Sequence, residues 1–470
     1  TKHVIVNTII IKRFNASKQL SKITRMLYMK KQSQWKSSTG FILASAGSAI
    51  GLGAMWKFPY MAGIYGGGAF LLMFLLFTII VGLPLLIMEF AVGKMGQTYT
   101  TKIYEKLTQK KWLNIIGWNG NLAVFILFGF YSVIGGWIII YILKVLGQLI
   151  GLSSGNLSSI QFESIITNPW LTIMGQGIFI LITMLIVMMG VEKGLEKASK
   201  IMMPLLFIFL IVIVVRSLSL EGAQSGLRYI LQPRIEDLSV KGTLFALGQS
   251  FFTLSLGTTG MITYASYASK EMTIKTSALS IVIMNIVVSL LAGLAIFPAT
   301  EAFGFKPADG PGLLFKVLPQ VFDQMAAGSL FYFIFLILFL FAALTSSISL
   351  LELNVSNFTK NNNEHRARVA FIASVLVFII SVPATLSFGS LNDVRIFGLT
   401  IFDAMDFLVS NILMPLGALG TTLVVGQLLD KNALKESFGR DRFKLFSPWY
   451  YLVKLVLPLV IILVFIMQLI

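Results

Sequence analysis

The chain has no cysteine and only two histidines in 470 residues, and 12% of it is charged. Without cysteine there is no disulfide, no thiolate metal site and no cysteine nucleophile. His3 and His365 lie in separate polar segments, so a histidine metal centre has no ligand set to draw on. No glycine-rich loop is followed by Lys and Ser or Thr, so ATP is not the direct energy source. Gly66-Gly-Gly68 lacks that sequel and joins two apolar runs, which makes it a tight turn rather than a phosphate loop.

Apolar sequence is what the chain has in excess. Hydrophobic residues make up 56% and the mean hydropathy is +0.84. Long uncharged runs predict eleven membrane spans, at 39–63, 68–92, 114–149, 170–190, 201–216, 242–268, 277–303, 329–353, 369–388, 396–429 and 449–470. This is the pattern of one integral membrane domain. The formal charge of +17 points first to nucleic acid, but its placement decides otherwise. Most of the Lys and Arg residues fall in 1–38, 94–111, 193–200, 270–275, 360–368 and 431–444, on one side of the predicted spans. The opposite loops hold only Arg216, Arg228, Arg234, Lys241, Lys306, Lys316 and Arg395. The positive-inside rule then places the N-terminus in the cytoplasm and, after eleven crossings of the plasma membrane, the C-terminus outside. Residues 1–28 are basic and polar, with an apolar run at 4–11 too short to span; we expect translation to start at Met29.

The first span contains Gly47-Ser-Ala-Ile-Gly-Leu-Gly-Ala54. Each glycine weakens a helix by about 1 kcal/mol against alanine, so a break is expected here. Backbone freed at membrane depth must line a polar cavity or bind something. Thr253-Leu-Ser-Leu-Gly-Thr-Thr-Gly260 repeats the feature in the sixth span. Interrupted spans at corresponding places in two halves point to a secondary transporter built as an inverted repeat, with its binding site at the breaks. The expected organisation is a basic tail (1–34), a first repeat (35–232), a second (233–430), then a cytoplasmic loop with span eleven (431–470). An ion channel is disfavoured, since no filter motif is repeated and no ring of pore charges is present.

Trp35, the Gly47 to Gly53 run, Trp56-Lys-Phe-Pro-Tyr60 and Gly66-Gly-Gly-Ala-Phe70 resemble the first helix and loop of the neurotransmitter:sodium symporters. Phe251-Phe-Thr-Leu-Ser-Leu-Gly257 with Ile262-Thr-Tyr-Ala-Ser-Tyr267 is similar to their sixth helix, and Leu344-Thr-Ser-Ser347 to their eighth. The resemblance runs in order from Trp35 to the end. It implies an all-α integral membrane protein of eleven transmembrane helices, a five-plus-five inverted repeat with helices 1 and 6 broken. This is the leucine-transporter type of fold, as in bacterial carriers of hydrophobic amino acids. The implied activity is sodium-coupled symport of a neutral, hydrophobic amino acid across the bilayer, with no covalent chemistry and hence no enzyme.

The resemblance also implies a site. Ala49, Gly51, Leu52 and Gly53 would offer backbone to the substrate, Tyr131 would meet its carboxylate, and Leu127, Phe252, Thr253, Ser255, Thr258, Ser346 and Leu350 would complete the pocket. Gly51 stands where amine carriers of the family have an aspartate, which favours a substrate bringing its own carboxylate. One sodium would sit among the carbonyls of Gly47, Ile50 and Ala342 and the hydroxyls of Thr345 and Ser346, all oxygen donors as a hard cation requires. A second would use Ala49, Thr253 and Asn285, but the family's asparagine there is Ala54. Either that site is weak and completed by water, or transport uses a single sodium.

Ser289, beside Gln249, occupies the anion-site position. Phe74 replaces the expected tyrosine, so chloride dependence is expected to be weak or absent. Lys57 and Asp406 would form the outer gate and Trp35 an inner plug. The inner-gate arginine and its acidic partner are replaced by Gln32 and Lys360. Two alternatives stay open: a proton-coupled carrier, with Glu89 as the titrating group, and a sensor that binds without transporting.

Overall fold

The computed structural model describes residues 34–152, 155–269, 272–305, 313–359, 365–439 and 443–469. Met29, Gln32, Lys360 and the tail before residue 34 lie outside them. Among the described residues the regular structure is helical, with one isolated bridge between Ile396 and Leu399. Two short helices, α1 (Ser38–Ala49) and α2 (Gly53–Ile64), meet at a bend of 49°. Then follow α3 (Gly68–Gly96), α4 (Lys111–Leu149), α5 (Pro169–Met188) and α6 (Val191–Leu218). The shorter α7 (Val240–Thr253) and α8 (Gly260–Ser266) come next. The chain closes with α9 (Ile274–Ala302), α10 (Gly328–Thr359), α11 (Arg366–Leu386), α12 (Ile401–Leu428) and α13 (Phe446–Met467).

Nine of these helices are long and apolar enough to cross a membrane, and the bent pair α1–α2 makes a tenth. The run predicted at 242–268 is divided into α7 and α8. Side-chain caps start several helices where the sequence offers a polar residue. Gly40 N–H donates to Ser37 Oγ at 3.0 Å, Gly242 N–H to Ser239 Oγ at 2.9 Å, and Leu171 N–H to Asn168 Oδ1 at 3.1 Å.

One boundary differs widely from expectation. The span predicted at 201–216 begins ten residues earlier, at Val191, through a segment read as a charged loop. Its buried carboxylate, Glu196, is satisfied there by Lys36 N–H at 2.8 Å, Ser37 Oγ–H at 2.8 Å and Lys200 Nζ at 2.7 Å. Hydrophobicity alone rejects charges that tertiary partners neutralise.

Helix α4 is buried along most of its length and packs against α5, α10 and α11. The first half of α3 lies on α7 and its second half on α8. Helix α1 is held among α6, α9 and α10. Polar cross-links run through this apolar interior. Gln176 Nε2 donates to Ser132 Oγ at 2.9 Å and Ser381 Oγ at 2.7 Å, and Thr385 Oγ1 donates back to Gln176 Oε1, joining α4, α5 and α11. In an apolar helix bundle such paired polar groups fix one packing among many apolar ones.

Candidate functional site

The two breaks face each other. Helix α1 ends at Ile50, whose ψ of 72° leaves the helical region, and α2 resumes at Gly53 as a π-turn. Between α7 and α8, Ser255 (φ 53°), Gly257 (φ 78°) and Thr259 (φ 61°) adopt left-handed conformations. Such positions at non-glycine residues cost of order 1–3 kcal/mol each and persist only where surroundings enforce them. Ser255 Oγ donates to the Ser48 carbonyl at 3.0 Å, and Gln249 Nε2 donates to the Gly53 carbonyl at 2.7 Å. Side chains of the second broken helix therefore satisfy backbone carbonyls freed at the first. A third element serves the first break as well: Leu52 N–H donates to Tyr131 Oη at 3.1 Å.

A cavity of about 30 Å³ lies where the breaks meet, with Ser48, Gly51, Leu127, Thr258, Ser346 and Leu350 among its walls. Ala49, Leu52, Gly53, Tyr131, Phe252 and Ser255 line it too, so all but one of the predicted substrate-pocket residues surround one space. The exception is Thr253, whose hydroxyl bonds back to the Gln249 carbonyl at 2.9 Å within its own helix. Ser48 and Met414 are wall residues that the sequence reading missed. Two larger cavities adjoin it. One of about 130 Å³ shares Leu52, Tyr131 and Phe252 with it; another of about 300 Å³ shares Phe252 and Met414. Gly51 has no room for a side chain, because a Cβ there would stand 2.2 Å from Ser346 Oγ.

The oxygen atoms expected around sodium are only partly assembled. Ser346 Oγ donates to the carbonyls of Gly47 at 3.1 Å and Ser48 at 3.3 Å, tying α10 to α1. Thr345 Oγ1 bonds back to Phe341 and Ala342, at 3.0 and 3.1 Å, while its Cβ would lie 2.9 Å from a Cβ on Gly47. The Ile50 N–H donates to Ala46 at 2.6 Å. Of the other predicted set, Asn285 Nδ2 donates to the Thr253 carbonyl at 3.0 Å, and Asn285 Oδ1 is a buried acceptor without a hydrogen-bond partner. The Ser289 hydroxyl is equally buried and unpartnered. Ala54 is fully buried, and Phe74 packs against Phe58 with tilted rings, centroids 4.9 Å apart.

One charged pair lines the two adjoining cavities, and a second lies beyond Trp35. Lys57 Nζ lies 3.6 Å from Asp406 Oδ2 and 4.4 Å from the Phe252 ring centroid. Asp406 also accepts from Ser410 Oγ at 2.7 Å. At the far end Trp35 is buried, donating Nε1–H to the Tyr264 carbonyl at 2.8 Å and its backbone N–H to the Tyr267 carbonyl at 3.2 Å. Tyr267 Oη in turn donates to Glu352 Oε1 at 2.9 Å, and Glu352 forms a buried ion pair with Arg366. Arg366 Nε donates to the Val187 carbonyl at 2.8 Å. This Tyr267–Glu352–Arg366 chain was not anticipated; its one sequence signal is a carboxylate at the end of an otherwise apolar run. Glu89 accepts the Gly257 N–H at 2.7 Å. Among the described residues no cluster of His, Cys, Asp or Glu could hold a metal ion.

Paired broken helices around a small cavity among long apolar helices define a membrane carrier rather than an enzyme. Residues 32–163 and 172–470 match the sodium:neurotransmitter symporter family, and the chain belongs to it. It is 49% identical over 436 residues to the sodium-dependent transporter YhdH of Bacillus subtilis (strain 168), covering 92% of this chain and 96% of that one. A sodium-dependent transporter of Haemophilus influenzae is 34% identical over 451 residues, covering 94% and 99%. Among solved structures, MhsT in complex with L-phenylalanine superposes with a TM-score of 0.86 at 38% identity, covering 93% of this chain and 99% of that one.

Proposed function

We propose that this chain is a sodium-coupled symporter that imports a neutral, hydrophobic amino acid by alternating access. The observation that carries the reading is the cavity between the two breaks, where exposed backbone meets the apolar walls Leu127, Phe252 and Leu350. Freed N–H groups suit a carboxylate and freed carbonyls an ammonium, and an α-amino acid presents both on one carbon. The ligand of the similar MhsT structure belongs to the same chemical class.

The α7–α8 pair completes an eleventh crossing, the two halves form an inverted repeat, and the basic loops keep the N-terminus inside. Sodium binds between α1 and α10, through carbonyls of Gly47, Ile50 and Ala342 and the hydroxyls of Thr345 and Ser346. It draws the two helices together and so prepares the breaks for substrate. Asn285 Oδ1 is free to join a second sodium, but Ala54 supplies no oxygen, so one ion per cycle is the expected stoichiometry. Chloride is not required. The Lys57–Asp406 pair closes over the loaded site from outside, and the Trp35 end opens inward.

Proteoliposomes loaded with potassium and given labelled neutral amino acids test this. Accumulation with an inward sodium gradient, absent with potassium or a proton gradient alone, is the expected result. A Hill slope near one in sodium supports the single-ion reading, and a slope near two restores the second site. Accumulation driven by protons alone overturns sodium coupling, and saturable binding without accumulation overturns transport.

A further inference from the structure

The cavity between the breaks, about 30 Å³, has room for a water or two and is too small for a bulky apolar side chain. A bulky substrate must therefore displace a wall. On one side stand Leu52 and Tyr131, shared with the 130 Å³ cavity, and the Leu52 N–H to Tyr131 Oη bond pins them together. On the other side stands Met414 of α12, a wall of both the small cavity and the 300 Å³ one. Phe252 lines all three, with the Lys57 ammonium resting over its ring.

Met414 reaches the break because α12 packs on it backbone to backbone. A Cβ on Gly257 would lie 2.0 Å from the Met414 carbonyl, and one on Gly417 would lie 2.1 Å from the Gly257 carbonyl. Only glycine at both positions permits this approach. Thr258 and the methionine both line the cavity. Methionine is unbranched, with three rotatable bonds, and yields where a branched or aromatic wall would not. Beyond it, the larger cavity mixes apolar walls, Phe245, Pro415 and Ile461 among them, with the polar Gln249 and the gate pair Lys57 and Asp406.

Resting on the reading of a hydrophobic amino-acid substrate, we infer that Met414 is a movable partition. When it swings aside, the side chain of a large substrate passes from the small cavity into the 300 Å³ chamber between α2, α7, α12 and α13. The chamber accepts an aromatic or long aliphatic group, while the amino-acid head stays at the breaks. Met414 is thus a specificity-determining residue that sets the upper size of the cargo.

The test uses the purified full chain in sodium, with labelled L-phenylalanine as probe and L-valine, L-leucine and L-tryptophan as competitors. The readout is the ratio of the tryptophan to the valine inhibition constant within each variant, so a loss of folded protein cancels. Met414→Ala is expected to lower this ratio roughly tenfold and Met414→Phe to raise it roughly tenfold, the range one or two methylenes command in an apolar pocket. Met414→Leu is expected to move it less than either. Equal ratios in wild type, Met414→Ala and Met414→Phe, with the probe still bound, overturn the partition and leave the substrate class intact. If the wild-type chain binds none of the four amino acids, the substrate class falls and the partition falls with it.

Discussion

Gly257 donates its backbone N–H to Glu89 Oε1 at 2.7 Å, so a carboxylate from α3 takes the place of the helical partner lost at the second break. The bond makes Glu89 a structural acceptor, and an amide preserves an acceptor. Glu89→Gln is therefore expected to keep sodium-driven uptake within about threefold of wild type, since less than a kcal/mol is at stake. Glu89→Ala leaves the N–H unmatched and is expected to destabilise by about 1–3 kcal/mol, read as a lower thermal midpoint in detergent. Loss of a wild-type pH dependence in Glu89→Gln would instead make Glu89 a proton carrier.

Gly51 admits no Cβ, with Ser346 Oγ at 2.2 Å and Tyr131 Oη at 2.8 Å from where it would stand. Overpacking a closed site costs about 1–3 kcal/mol, so Gly51→Ala should weaken amino-acid binding by roughly tenfold to a hundredfold. Equilibrium binding of labelled substrate measures it. An unchanged affinity would remove the cavity between the breaks from the transport path.

The Lys57–Asp406 pair is partly exposed, with side chains 20% and 33% accessible, and its 3.6 Å contact is single-pointed. Pairs of this kind are worth up to about 1 kcal/mol, so Lys57→Ala should speed release of bound substrate by no more than about fivefold. Adding Asp406→Asn should change little further, and Lys57→Arg, which can grip a carboxylate at two points, should slow release. Dissociation rates after dilution into unlabelled substrate decide; equal rates in all variants would exclude the pair from gating.

The Glu352–Arg366 pair belongs to a different energetic class because it is buried. Arg366→Ala leaves the carboxylate with Tyr267 as its remaining hydrogen-bond donor among the described residues and is expected to cost about 3–5 kcal/mol. The double variant Arg366→Ala with Glu352→Leu, having no stranded charge, should recover part of that loss. Thermal unfolding in detergent checks both, and a double variant less stable than Arg366→Ala would refute the stranded-charge explanation.

Much of the fold was legible because membrane insertion writes itself locally. Apolar runs of spanning length appear in the structure as helices within a few residues of their predicted ends, as at Pro169–Met188 and Ile401–Leu428. The breaks were legible for a related reason, since clustered glycines at 47, 51 and 53 cannot sustain a helix. The reading failed at Val191, where Glu196 looked like loop until its three donors from Lys36, Ser37 and Lys200 were in view.

The sequence by itself determined most of the helical spans and the two interruptions, because hydrophobic length and glycine placement act over a few turns of chain; the residues that share one cavity came from the family resemblance. Only the tertiary structure decided what stands across from what. Met414 enters the cavity wall because Gly257 and Gly417 let two backbones touch. Tyr267, Glu352 and Arg366 join into one buried chain although they are scattered along the sequence. Neither arrangement has a period or a motif, because each arises from helices distant in sequence packing at one depth, where a single methyl group or an unpaired charge settles the contact.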